Sequence, residues 1–72
     1  MTLPIALKRF RDTMGISQAK ASAIAGVSTT QYQNYEYGKS EPTIGVLVSL
    51  AEHFNVSLDY LTGRTDNPEI NR

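Results

Sequence analysis

The sequence predicts an all-α domain of five short helices, and three observations carry that prediction. Apolar residues recur at intervals of three and four along most of the chain. Serine or threonine stands before most of these stretches, where a hydroxyl can cap a helix. Glycine or asparagine stands after them, where a left-handed closing residue fits. At 72 residues, 40% hydrophobic and 19% charged, the chain is one small domain rather than a disordered tail. Cysteine is absent, which excludes disulfides and thiolate metal sites and suits a reducing cytoplasm. No apolar run approaches the roughly 20 residues of a membrane span. The N-terminus lacks a signal-peptide pattern, so a cytoplasmic protein with no membrane partner is expected.

The first helix is expected over Met1 to Met14. Thr2 or Leu3 can cap it, and Pro4 falls in the first turn, where its missing N–H costs nothing. Leu3, Leu7, Phe10 and Met14 form its apolar stripe, Lys8 and Arg9 read as solvated surface charges, and Gly15 ends it. Ser17 caps a second helix from Gln18 to Ala25. Its inward residues Ala21 and Ala25 are small enough for close helix approach, and Ile24 is expected to point partly outward. Gly26 supplies the tight turn. Ser28 opens the third helix. With Gln31 three residues on it fits a capping box, and Val27 can staple to Tyr32.

Beyond the third helix, Tyr37 to Ser40 form a loop in which Gly38 suits a left-handed cap. Pro42 stops any extension and Thr43 caps a fourth helix. Ile44, Leu47, Leu50, Ala51 and Phe54 are its expected buried stripe, Gly45 weakens it slightly, and Asn55 can close it. Ser57 caps a fifth, with Val56 stapling to Leu61 and Gly63 ending it. Residues 1–64 thus form the domain and 65–72 a short polar tail expected to fray.

The third helix has two unlike faces. Tyr32 and Tyr35 point one way and can pack inward, while Thr29, Thr30, Gln33, Asn34 and Tyr37 form the opposite stripe. All five can hydrogen-bond and none is charged. Glutamine and asparagine match the donor/acceptor pair of adenine, and threonine can meet a thymine methyl, so the stripe suits a helix that reads base edges. An ordinary solvated face has the same composition. Gln18, first in its helix, stands where exposed N–H groups and the helix dipole favour a phosphate, or it is a plain surface residue near the cap.

Charge is zero overall but polarised. Residues 1–40 hold Lys8, Arg9, Arg11, Lys20 and Lys39 against Asp12 and Glu36, a net of +3. Residues 41–72 hold Arg64 and Arg72 against Glu41, Glu52, Asp59, Asp66 and Glu69, a net of −3. The positive half contains the two-helix unit and can face phosphate, with modest non-specific affinity.

The series GIS-Q, AGVS, Tyr35-Glu36, Gly38-Lys39, Glu41-Pro42 and NVSLDYLTG resembles the Cro/phage-repressor type of helix-turn-helix domain over about residues 3 to 63. The resemblance implies a lambda-repressor-like fold whose helix-turn-helix motif covers about residues 18–37. It gives Thr29, Thr30, Gln33 and Asn34 to bases, and Gln18, Ser28 and Lys39 to phosphates or the edge of the site. It also implies a buried ion pair between Arg11 and Glu36. Departures from the family pattern fall at Ala21, Ser22 and Ala25, at Lys20, which removes a capping box, and at Tyr37, where asparagine is usual. Tyr37 can stack on sugar, touch phosphate, or cover the loop.

Catalysis is not expected. There is one histidine, no cysteine and no Gly-rich phosphate motif, and the acids are scattered. His53 has no partner ligands in sequence, so neither metal nor cofactor is expected. The leading expectation is a sequence-specific transcriptional regulator, a repressor on double-stranded palindromic operator DNA, with the third helix in the major groove. A sensor domain does not fit in 72 residues, so small-molecule regulation is not expected. A homodimer on DNA is expected, built by Leu58, Tyr60 and Leu61 of the fifth helix, which offer more apolar surface than its own core needs. Two alternatives stay open: a DNA-binding antitoxin or controller whose main role is binding a partner protein, and a protein-interaction module that keeps the fold without DNA.

Overall fold

Four of the five helices start on the same local chemistry. The computed structural model describes residues 2–69, in which α1 spans Leu3–Met14, α2 Gln18–Ala25, α3 Thr29–Tyr37, α4 Ile44–Phe54 and α5 Leu58–Leu61. Met1 and residues 70–72, assigned above to the first helix and the tail, lie outside the described residues. Ser17, Ser28, Thr43 and Ser57 each accept a bond from the backbone N–H three residues on, at 3.0–3.2 Å. Each satisfies one of the donors that a helix start leaves orphaned. Thr2 precedes α1 without a side-chain cap bond, and Pro4 removes one orphan donor there instead. α4 closes at Asn55, whose φ of 55° is the one positive value at a non-glycine position among the described residues. A short amide side chain tolerates that region better than most.

α2 packs on α3 and α4, and α1 packs on α3 and α5, so the core lies where these faces converge. Leu7 and Phe10 of α1 meet Tyr32 and Tyr35 of α3, with Val46, Leu47, Leu50 and Ala51 of α4, Val56 and Leu61 completing the cluster around Ala21. Small Ala21 and large Tyr32 are both essentially sealed, so the volume α2 lacks comes from α3.

Four expectations differ from what is found. Ile44 is 69% exposed rather than buried, and Val46 takes its place in the core. Helical residues turn about 100° each, which sets Ile44 roughly 90° from the centre of the arc through Val46, Leu47, Leu50, Ala51 and Phe54. The Ser28 capping box is only half made, because the Gln31 amide donates to the Tyr35 hydroxyl at 3.2 Å. α5 has little apolar surface to spare: Leu61 is sealed in the core, and Tyr60 packs edge-on against Phe10. Leu58 alone stays outside, at 39% exposed. Finally, residues 65–69 fold back rather than fray. The Ser57 N–H donates to the Pro68 carbonyl at 3.0 Å, and turns at Thr65 and Asn67 hold that return.

Candidate nucleic-acid interface

α3 is fixed by what lies beneath it. Its inner face carries Tyr32, Tyr35 and Glu36, whose side chain is 2% exposed. A carboxylate so buried needs partners for its lone pairs. The Arg11 guanidinium supplies two: Nε to Glu36 Oε2 at 2.7 Å and Nη2 to Oε1 at 3.2 Å. Its remaining Nη1 donates to the Ile16 carbonyl at 3.0 Å, which orients the fork from α1 and the turn after it. Tyr32 donates its hydroxyl to the same carboxylate, and Gln18 Nε2 donates to Oε1 at 3.2 Å.

These contacts explain the electrostatics. Burial pushes the Glu36 carboxyl up, but the bonds from Arg11, Tyr32 and Gln18 together outweigh it and hold the group below its ordinary value. The Tyr32 phenol is pushed up, first by burial and then by the adjacent Glu36 charge. The bond to Glu36 holds the Arg11 guanidinium in its charged form against the opposing effect of burial.

The outer face of α3 carries Thr29, Thr30 and Tyr37 in the open, with Gln33 and Asn34 half-buried beside them. Tyr37 is 62% exposed. Gln33 and Gln18 come together: Gln33 Nε2 donates to Gln18 Oε1 at 3.2 Å. Thr29 Oγ1 lies 3.3 Å from the buried Ser22 hydroxyl, tying the start of α3 to α2. The Asn34 carbonyl accepts from Lys39 N at 2.9 Å and so shapes the loop that carries the exposed Lys39. Ser28 is exposed at the start of α3, its oxygen taken by the Gln31 N–H.

The structure therefore sets Thr29, Thr30, Gln33 and Asn34 on one side of α3. Gln18 and Ser28 lie at helix starts near them, and Tyr37 and Lys39 at the far end. Sequence reasoning missed that Gln18 and Gln33 bond each other and that Gln18 also reaches Glu36. Two amides fifteen residues apart leave no periodic signal, and only the packing of α2 on α3 joins them.

Known proteins match this chain along most of its length. A helix-turn-helix family model matches residues 7–61. An HTH-type transcriptional regulator, YobD, of Bacillus subtilis is 30% identical over 63 residues, covering 88% of this chain and 56% of the relative. The cryptic phage CTXphi transcriptional repressor RstR of Vibrio cholerae is 37% identical over 54 residues, 75% of this chain and 48% of the repressor. The crystal structure of the P22 c2 repressor in complex with a synthetic operator superimposes with a TM-score of 0.73 at 26% identity, covering 85% of this chain and 92% of that one. The chain spans about half the length of the curated relatives it matches.

Proposed function

The chain belongs to the Cro/C1-type helix-turn-helix family, and from that premise we propose that it is a sequence-specific transcriptional repressor that lays α3 in the major groove of operator DNA. The observation that carries this reading is the pairing of two faces on one helix. The inner face is locked by a satisfied buried ion pair, and the outer face offers uncharged donors and acceptors. A rigid helix with such a face suits the reading of base edges, where register has to be held to fractions of an ångström.

In this reading Thr29, Thr30, Gln33 and Asn34 meet bases. Gln18, Ser28, Tyr37 and Lys39 meet phosphate or sugar at the edges, which set register rather than sequence. Likeness to a repressor solved on its operator supports the assignment. Likeness to DNA-binding regulators supports a cytoplasmic regulator rather than an enzyme. It binds as a two-fold dimer whose half-sites lie about one DNA turn apart. With Tyr60 and Leu61 engaged in the core, α5 contributes Leu58 alone to the dimer.

Selection of bound fragments from random genomic DNA, followed by footprinting, tests this. The expected result is enrichment of a two-fold symmetric sequence and protection of two half-sites. A footprint of one half-site at saturation would remove the dimer, and no enrichment over input would overturn sequence-specific binding.

A further inference from the structure

We propose that Glu36 fixes the hydrogen-bonding polarity of Gln33 through Gln18, so that Gln33 faces the groove as a reader of adenine that rejects guanine. The inference rests on the reading above, in which Gln33 meets a base. Three bonds in series carry it: Arg11 to Glu36, Gln18 Nε2 to Glu36 Oε1 at 3.2 Å, and Gln33 Nε2 to Gln18 Oε1 at 3.2 Å.

Amide oxygens and nitrogens are interchangeable in shape, so a lone glutamine can turn either end toward a partner. Here the buried end of the series removes the choice. An ionised carboxylate has no proton to give and can only accept. Glu36 is held ionised by Arg11, so Gln18 must present its NH2 to it. The Gln18 oxygen then faces α3, and Gln33 must present its own NH2 to that oxygen. Turning the Gln33 amide around would set two oxygens against each other.

One N–H of Gln33 is therefore spent inside the protein. What remains for the groove is a carbonyl acceptor and a single N–H donor. Adenine offers the complement, an N7 acceptor beside an N6 amino donor, whereas guanine offers two acceptors, N7 and O6. Guanine would find one donor and an opposing carbonyl lone pair. Released from Gln18, the amide could turn and offer both hydrogens to guanine. Gln18 is thus a positioning residue whose effect appears at a base that it need not touch.

The test compares the wild type with Gln18→Met on the selected duplex and on a duplex with guanine in place of the adenine under Gln33, the site being located by Gln33→Ala. The wild type is expected to favour adenine by about tenfold or more. Gln18→Met is expected to shrink that ratio severalfold, whatever it does to affinity for both duplexes. An unchanged ratio, or an equal loss on both, overturns the relay while leaving base reading by Gln33 intact. A wild type with no preference at any base pair overturns the reading itself, and the relay with it. Should Gln18→Met fail to fold, NMR of the unbound wild type decides instead. The relay requires one Gln33 side-chain amide proton to exchange more slowly than its twin, and two protons exchanging at the rate of a free glutamine would overturn it.

Discussion

α1 meets its neighbours through two seams of opposite chemistry. Toward α4 and α5 it presents Phe10, which meets Phe54 and Tyr60 edge-to-face at centroid distances of 5.3 and 6.2 Å. Toward α3 it presents Arg11, which meets Glu36 through two charged bonds. The aromatic seam gains from area removed from water, about 25 cal/mol per Å², and is undemanding about direction. The ionic seam gains little net, since removing two charges from water offsets most of their attraction. What it does supply is direction, because a planar fork on a carboxylate admits one rotation of α3 about its axis. One seam holds the domain together, and the other aims the proposed reading face.

The largest expected effect would come from breaking the ionic seam on one side. Arg11→Met leaves the Glu36 charge stranded and should cost roughly 3–5 kcal/mol in chemical denaturation. A loss below about 1 kcal/mol would mean the pair behaves as a surface contact, and the contrast between the seams would collapse. Adding Glu36→Leu to Arg11→Met sharpens the comparison: stability should largely return, while discrimination between matched and scrambled duplexes stays impaired.

Acid probes the same seam without a substitution. Because the Glu36 carboxyl is held below its ordinary value of 4.5 in the folded state, its contribution is complete above that value. It drains away as pH falls through the lower folded value. Stability measured against pH should therefore fall on the acid side, and Glu36→Gln should flatten that limb. An unchanged limb would assign the acid sensitivity to other carboxylates.

Next in size is the reading face itself. Gln33→Ala should cost about 1–3 kcal/mol on the preferred duplex and relax choice at one base pair. Lys39→Ala should instead weaken matched and scrambled duplexes alike and lower the salt slope by about one. Titrations at several salt concentrations separate the two, and equal losses for Gln33→Ala on both duplexes would take α3 out of the reading role. The smallest effect on DNA reading belongs to the aromatic seam. Phe10→Leu, which gives up both edge-to-face contacts, should cost roughly 1–3 kcal/mol of stability, with base preference unchanged. A shift in preference would show that the aromatic seam also aims α3.

The division between local and distant causes decides what could be read from the sequence. The caps Ser17, Ser28, Thr43 and Ser57 were legible because each acts on a backbone group three residues away. The inward turn of Tyr32 and Tyr35 was legible because spacing fixes a helix face. Ile44 misled because the stripe admits it at one edge, and a quarter turn decides between core and solvent. Tyr60 misled because an apolar residue on a short helix looks spare until Phe10 is placed against it. The ion pair was implied only by family likeness, since nothing local links residues 25 apart. The amide series from Gln33 to Glu36 had no signal at all, for it exists only once α2 and α3 are packed.

The return of the chain after α5 has a consequence for local opening. A four-residue helix has no lifetime alone in water, and α5 is held at its start by the Ser57 hydroxyl and at its base by Leu61. The Pro68 carbonyl closes over the Ser57 N–H, a group that would otherwise face solvent ahead of the helix. That amide should exchange its hydrogen slowly although it belongs to no helix. Its exchange rate then serves as a local gauge of whether residues 65–69 are seated, separate from global unfolding, which the interior amides of α4 report.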